Sequence, residues 1–242
     1  MQPYMKVSFL RGLLYCLVFG FTIVGMAQIT TGASFLSYRS SPEAEIMYLN
    51  RATPGASLIV AGSLLLLSAV LGFVGARNVS WPWLCVLGAA LSLLTALQIV
   101  IAVVGFVEAS SVGDKVHRSM LYTLGHHEID RFRSAWDTAQ RKHNCCGVDG
   151  FSDWDIRFTH RPAHGKYVPN SCCPIVNEEL CTDTHKLLYR TGCHTILAKK
   201  ERGMLTTAAS LAVAAAVLEM LGIVSAILLS TIYQEKPGYQ LY

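Results

Sequence analysis

The chain has 242 residues, of which 52% are hydrophobic and only 15% are charged. Its mean hydropathy of +0.39 excludes an ordinary soluble domain and indicates an integral membrane protein. The net charge of +4 is small and is not clustered, so we do not expect nucleic acid as a partner.

Four long windows are free of charged residues, apart from one acid, Glu219, in the last window. At about 1.5 Å per residue, each window can cross a hydrocarbon core of about 30 Å. The sequence therefore predicts an all-α integral membrane protein with four transmembrane helices, at residues 12–36, 56–76, 82–107 and 203–232. The other segments are predicted as a cytoplasmic tail, a small extracellular loop, a cytoplasmic turn, a large extracellular domain and a second cytoplasmic tail, at residues 1–11, 37–55, 77–81, 108–202 and 233–242.

The orientation of these spans follows from the cysteines. Loop charges favour cytoplasmic tails only weakly. Six of the eight cysteines lie in the large loop, at Cys145, Cys146, Cys172, Cys173, Cys181 and Cys193. They indicate a disulfide framework on the oxidising side of a membrane, and the residues alone leave its connectivity open. Each closed loop contributes about 2–4 kcal/mol to a domain that has few apolar residues.

The large loop is predicted to be helix-rich over residues 107–142, with a break near Gly125. Ile129, Phe132 and Trp136 have the spacing of one apolar helix face. A last helix is expected from about residue 183 to residue 202, where it runs into span four.

Residues 148–181 of the large loop are predicted to be irregular and to carry the partner-binding surface. Their apolar side chains could form an exposed patch or the core of the domain, and the sequence leaves both interpretations open. These candidate residues are Phe151, Trp154, Phe158, Tyr167 and Val168.

Small residues recur at an interval of seven positions in the spans. Such a repeat favours close helix packing in lipid, where no hydrophobic force drives helices together. Span two carries Ala61, Ser68 and Gly75, span three carries Gly88, Thr95 and Ala102, and span one carries Gly25 and Gly32. The two triplets predict a packing seam between spans two and three.

Three polar side chains lie inside the predicted spans: Gln28, Gln98 and Glu219. A charged Glu inside a bilayer is costly, so Glu219 is expected to be protonated or hydrogen-bonded to a partner such as Gln98. A hydrogen-bonded clamp between helices is favoured over a proton or ion path, because a relay needs a second ionisable group.

Two further cysteines, Cys16 and Cys85, lie near the inner ends of spans one and three. This position predicts reversible S-acylation, and the other interpretation is a small buried apolar side chain.

No catalytic motif is present in the sequence: it has neither a nucleophile elbow, nor a Cys-x-x-Cys pair, nor a phosphate-binding loop.

All eight histidines lie in the large loop, from His117 to His194. The pairs at residues 126–127 and 160–164 lack metal-ligand spacing, and the thiols are expected to be used in disulfides, so no metal site is predicted. A surface that responds to endosomal pH is the other interpretation of the histidines.

The four-span layout resembles that of the tetraspanins. So do Cys145-Cys146-Gly147, the run from Pro169 to Cys172 and the pair Gly192-Cys193. Gln98 and Glu219 match polar positions of that family in spans three and four. The family's usual Asn in span one is absent from residues 16–21, and Gln28 lies one or two turns further along.

This resemblance implies the pairs Cys145–Cys193, Cys146–Cys172 and Cys173–Cys181. It also implies a non-catalytic organiser at the plasma membrane, with endosomal or vesicle membranes as further locations. Expected partners are adhesion receptors, immunoglobulin-like proteins and other tetraspanins. No cofactor is expected, and the alternative is a bound sterol or lipid between the spans. The alternative function is a transporter or proton-coupled carrier that uses Glu219 and Gln98.

The orientation can be tested at Asn78, which begins an Asn-Val-Ser glycosylation pattern in the predicted cytoplasmic turn. Treating the cell-expressed protein with an N-glycosidase is expected to leave its gel mobility unchanged. Faster migration after treatment would place Asn78 outside the cell and invert the topology.

Overall fold

The computed structural model describes residues 2–39, 41–47, 52–77, 81–154, 168–174, 181 and 187–235. Over these residues the secondary structure is entirely helical, as predicted. The helices are α1 (Gln2–Arg39), α2 (Glu43–Met47), α3 (Ala52–Arg77), α4 (Trp81–Gly125), α5 (Asp130–His143) and α6 (Cys193–Glu235). Two short 3₁₀ turns cover Phe151–Trp154 and Asn170–Cys172.

The chain divides into two compact units. The membrane unit comprises Met1–Leu36, Ala52–Phe106 and Thr206–Tyr242, and the outer unit comprises Ser37–Arg51 and Val107–Leu205. Within the described residues, four helices are long and apolar enough to cross a membrane, over Gly12–Tyr38, Pro54–Val74, Cys85–Gly125 and Cys193–Thr231. Two of them, in α4 and α6, are longer than the predicted spans because each helix continues without a break into the outer unit.

A close backbone contact in the membrane unit joins α1 to α3. A Cβ atom on Gly62 would lie 2.7 Å from the carbonyl oxygen of Gly25, and one on Gly32 would lie 2.7 Å from that of Gly55. The two glycines on each helix are seven residues apart, so the backbones meet once every two turns. This close approach supplies the van der Waals packing that lipid-embedded helices depend on.

The predicted seam between spans two and three is wrong at Gly88. No heavy atom lies within 4 Å of a Cβ built there. Instead, Leu65 and Ala69 of α3 share a buried cluster with Leu87 and Leu91 of α4. Small residues therefore bring the backbones of α1 and α3 together, while α3 and α4 meet at a cluster that is mostly leucine.

In the outer unit, α5 buries the expected apolar face at Phe132 and Trp136, but Ile129 is 42% exposed. Ile129 is the N-cap of α5 and has an extended backbone (φ −74°, ψ 119°), so the helical period does not reach it. Acidic Asp130 lies in the first turn, and the bases Arg141, Lys142 and His143 lie in the last turn, where each charge suits the helix dipole.

The last helix begins at Cys193 rather than near residue 183, which lies outside the described residues. The described residues immediately before Cys193 are not helical. Their backbone is held by other contacts: the N–H of Tyr189 donates to the carbonyl of Cys172 (2.9 Å), and the carbonyl of Thr191 accepts from the N–H of Cys146 (2.9 Å). These tertiary hydrogen bonds replace the bonds that a helix would make.

The α1–α3 contact predicts opposite outcomes for two glycine-to-alanine changes. Gly62→Ala places a methyl group against the backbone of α1 and should lower the stability of the protein by about 1–3 kcal/mol through overpacking. Gly88→Ala meets no neighbour, so it should leave the thermal unfolding midpoint in detergent unlowered. Equal midpoints for the two variants would contradict the assigned contact.

Candidate functional site

Three disulfides hold the outer unit together within the described residues. They join Cys145 to Cys193, Cys146 to Cys172 and Cys173 to Cys181. These are the pairs that the family resemblance implies. All six sulfur-bearing residues belong to one buried cluster with Trp136 and Trp154, so the disulfides are part of the core rather than surface links.

The Cys-Cys-Gly motif turns the chain sharply after α5. Gly147 has φ +67°, a conformation that favours glycine, and a Cβ there would clash with the carbonyl of Gly150. The loop that follows is fixed by one carboxylate: Oδ2 of Asp153 accepts from the N–H groups of Val148, Asp149 and Gly150 at 2.8, 2.7 and 3.2 Å. We call residues 145–150 the Cys-Cys-Gly loop.

The Cys-Cys-Gly loop is bonded directly to the start of α6. The N–H of Cys193 donates to the carbonyl of Gly147 at 3.0 Å, and the N–H of His194 donates to the carbonyl of Val148 at 3.0 Å. A Cβ on Gly192 would clash with the same Val148 carbonyl, so only glycine permits this approach. The loop thus supplies acceptors for N–H groups that the first turn of a helix leaves without partners.

The residues predicted for partner binding differ in burial. Trp154 and Val168 are buried, with exposures of 0% and 1%, and belong to the core. An exposed partner-binding patch is therefore the wrong interpretation for these two residues. The Trp154 ring packs edge-on against Trp136 with centroids 6.0 Å apart. Phe151 remains half-buried at the edge of the core, with the guanidinium of Arg190 5.9 Å from its ring centroid. Phe158 and Tyr167 lie outside the described residues.

The small extracellular loop is an integral part of the outer unit, which the sequence did not predict. Glu43, at the start of α2, is only 1% exposed. Its carboxylate is bonded to Lys142, to Nε2 of His143 (2.9 Å) and to the Tyr38 hydroxyl (3.1 Å), and Nζ of Lys200 lies 3.9 Å away. Burial by itself raises the pKa of Glu43, but the hydrogen bonds from Lys142 and His143 outweigh it and lower the pKa to about 2.

Apolar burial reinforces this attachment. Ile46 and Met47 at the end of α2 are fully buried in the same core as the disulfides. The hydroxyl of Ser119 on α4 donates to the carbonyl of Ile46 at 3.3 Å, and the hydroxyl of Thr123 lies between that carbonyl (3.3 Å) and the Met120 carbonyl of its own helix (3.1 Å). One sequence signal could have indicated that the small loop packs against the large one: a Glu lies three residues before an Ile-Met pair in a mostly polar loop.

In the membrane unit, Gln28 and Gln98 form a reciprocal amide pair between α1 and α4. Nε2 of Gln28 donates to Oε1 of Gln98 at 3.0 Å, and Nε2 of Gln98 donates back to Oε1 of Gln28 at 3.3 Å. Both side chains are fully buried. The helix clamp therefore exists, but its two members come from spans one and three.

Glu219 is not the partner of Gln98 that the sequence suggested. It is fully buried, and both of its carboxyl oxygens have no hydrogen-bond partner among the described residues. The nearby Thr95 hydroxyl donates instead to the Leu91 carbonyl of its own helix, at 2.9 Å. Because an ionised carboxylate in this environment would be unsatisfied, the arrangement favours the neutral acid.

Cys16 and Cys85 are free thiols with exposed side chains. They therefore do not fill the core of the membrane unit, as the alternative interpretation required. Their exposure leaves the sulfur atoms accessible, and S-acylation stays a prediction.

Comparison with known proteins gives consistent matches along the chain. The family model described as the Tetraspanin family matches residues 10–231. Tetraspanin-33 of Bos taurus is 24% identical over 97% of this chain and 91% of its own length, and CD63 antigen of Mus musculus is 26% identical over 76% of each. Tetraspanin-9 of Salmo salar is 23% identical over 57% of this chain, and that match spans about half of its length (56%).

The Glu43 contacts predict that a neutral side chain at this position loosens the small loop. Glu43→Gln should lower the free energy of unfolding at neutral pH on the order of 2 kcal/mol, because the charge-assisted hydrogen bonds are lost. Glu45→Gln is the matched control, since Glu45 is exposed on the same helix. Thermal unfolding of the full chain in detergent measures both, and equal midpoints would contradict the role of Glu43.

The lowered pKa also sets the sign of the pH dependence. The Glu43 contribution is fully present above the ordinary carboxyl pKa of 4.5 and is lost as pH falls from there towards about 2. The stability difference between wild type and Glu43→Gln should therefore shrink below pH 4.5.

Proposed function

Because this chain belongs to the tetraspanin family, whose members are generally membrane organisers, we propose that it is a non-catalytic scaffold that gathers partner membrane proteins into microdomains. The observation that carries the proposal is the outer unit, in which residues of both loops share one core that contains three disulfides. The chain also has four helices long and apolar enough to cross a membrane within the described residues. Such a domain presents a surface to partner proteins. Through it the protein affects trafficking, adhesion or signalling of its partners.

Recognition from outside is assigned to the surface around the Cys-Cys-Gly loop and residues 151–181. Phe151 is the partly exposed aromatic there, and Phe158 and Tyr167 are the further candidates in the same stretch. An aromatic side chain at the edge of a disulfide-fixed core supplies contact area at small entropic cost. The proposed partners are adhesion receptors, immunoglobulin-like proteins and other tetraspanins at the plasma membrane, and in endosomal or vesicle membranes.

Lateral association is assigned to the lipid-facing side of the membrane unit. Large apolar side chains such as Phe19, Leu93 and Val103 are exposed there. Acyl chains on Cys16 and Cys85 would each add about 0.8 kcal/mol per buried CH₂ and enlarge this apolar surface. A sterol or lipid held between the spans belongs to the same proposal.

A transporter that uses Glu219 and Gln98 is the rival function. Gln98 is engaged with Gln28. Among the described buried polar residues of the membrane unit, Glu219 is the sole ionisable one. A proton relay needs successive ionisable or hydrated groups, so this arrangement supports the organiser over the carrier.

The test is the double variant Cys16→Ser with Cys85→Ser. It should reach the cell surface at wild-type level but recover fewer partner proteins in a mild detergent, because the acyl chains that promote clustering are missing. Acyl exchange followed by mass tagging measures acylation, and quantitative mass spectrometry measures the partners. The matched control is Ser63→Ala with Ser92→Ala, two exposed hydroxyls in the spans that bond only within their own helices.

The rival function predicts the reverse result. In that case Glu219→Gln would abolish a proton-coupled flux in reconstituted vesicles, and the two cysteine changes would have little effect. A measured flux of this kind, together with wild-type partner recovery by the double cysteine variant, would overturn the proposed organiser function.

A further inference from the structure

Three side chains far apart in the sequence meet on the outer unit with their donor atoms together. His117 lies on α4, Asp149 lies in the Cys-Cys-Gly loop and His194 is the second residue of α6. Nε2 of His117 is 2.9 Å from Oδ2 of Asp149, and Nδ1 of His194 is 4.0 Å from Oδ1. One ligand atom from each of the three lies within 4.8 Å of the others.

The hydrogen bond of His194 to the backbone assigns its tautomer. Nε2 of His194 is 3.1 Å from the carbonyl oxygen of Gly113, which can only accept, so Nε2 carries the hydrogen. In the neutral ring, Nδ1 then presents its lone pair towards the Asp149 carboxylate. Two acceptors that face each other are stabilised by a cation placed between them. Metal-binding histidines commonly donate their other ring N–H to a carbonyl in this way.

Backbone hydrogen bonds fix the positions of Asp149 and His194. The backbone N–H of Asp149 donates to Asp153 (2.7 Å), and that of His194 donates to Val148 (3.0 Å). The Cys145–Cys193 disulfide joins the loop to α6. The rings of His117 and His194 pack edge to face, with centroids 4.7 Å apart. A preorganised donor set loses little conformational freedom when an ion binds.

We propose that His117, Asp149 and His194 form a binding site for a divalent transition-metal ion, with Zn²⁺ as the ligand that best suits the donors. Two imidazole nitrogens and a carboxylate are zinc ligands, whereas Ca²⁺ and Mg²⁺ take oxygen ligands. Asp149 is 61% exposed, so the site is open to solvent and a water molecule completes the coordination. The bound ion ties α4, the Cys-Cys-Gly loop and α6 together at the surface proposed for partner recognition, but the site itself does not depend on that function.

Side-chain rotations must adjust the separations of the three donor atoms before they can hold the ion. Ligand atoms around a tetrahedral Zn²⁺ with bonds of about 2.0–2.1 Å are roughly 3.3 Å apart. The His117–Asp149 pair must therefore open slightly from 2.9 Å, and the His194–Asp149 pair must close from 4.0 Å. The two distances involve different oxygens of Asp149, and the three ligand atoms lie within 4.8 Å of one another, so both histidine rings and the exposed Asp149 carboxyl group must rotate to bring one atom of each residue to this separation.

The sequence predicted no metal site because it offered no ligand spacing. Spacing rules apply only to histidines that are close in the sequence. His117 and Asp149 are 32 positions apart, and His194 lies on a different element. Only the disulfide-fixed approach of the loop to α6 brings Asp149 beside His194.

The proposal is tested by Zn²⁺ binding to the full chain, purified in detergent without a polyhistidine tag and titrated in competition with a chromophoric chelator. Wild type is expected to bind one tight Zn²⁺. His117→Ala and the isosteric Asp149→Asn should each weaken this binding by more than about tenfold. His126→Ala is the matched control, because His126 contacts the Tyr122 carbonyl outside the cluster and should bind as wild type does.

Two further measurements separate loss of the site from loss of the fold. Peptide mapping should find all three disulfides in every variant, and Zn²⁺ should raise the thermal unfolding midpoint of wild type and His126→Ala but not of Asp149→Asn. Absence of Zn²⁺ binding by the wild type would overturn the proposal. So would wild-type affinity in a correctly disulfide-bonded His117→Ala or Asp149→Asn variant, since the ion would then lie elsewhere.

Discussion

The close approach of the Cys-Cys-Gly loop to the first turn of α6 is the constraint on which the outer unit depends. Gly147 and Gly192 permit it sterically, and the Cys145–Cys193 disulfide makes it permanent. The loop carbonyls bond to the N–H groups of α6, so the beginning of that helix is set by a tertiary contact and not by a local cap. Cross-linking the two ends of the folded loop also removes conformations from the unfolded chain.

Both extracellular loops contribute to one core as a result. Ile46 and Met47 of the small loop are buried among the residues that surround the disulfides, and the buried Glu43 binds the end of α5. The helix α2 of the small loop is therefore a structural part of the outer unit. A substitution at Glu43, Ile46 or Met47 acts on the outer unit, because it removes either core contacts or the charge that α5 and α6 share.

The membrane unit obeys a different rule, since lipid offers no partner to a polar group. The Gln28–Gln98 pair satisfies two amides with each other and fixes α1 against α4, while the glycines at the α1–α3 contact allow the backbones to approach closely. Glu219 lacks such a partner among the described residues, which makes it the least satisfied group in this unit. A membrane organiser tolerates a neutral Glu219, whereas a proton-coupled carrier would have to ionise this carboxyl group in every transport cycle.

The sequence by itself determined the features that depend on local composition. Charge-free windows give membrane helices because helix length and hydropathy are properties of a contiguous segment, and the clustered cysteines indicate the oxidising side. The family resemblance added the disulfide pairs. Local periodicity failed at Ile129 and at the start of α6, where an extended cap and tertiary hydrogen bonds replace helical ones.

Only the tertiary structure decided which distant residues meet. Glu43 and Lys142 are 99 positions apart, and Gln28 and Gln98 are 70 apart, so no spacing rule relates them. The seven-residue repeat of small side chains was visible in the sequence, but such a repeat does not identify the helix against which it packs. Pairing between elements is set by how the whole chain packs, because each contact's free energy depends on which surfaces are buried together.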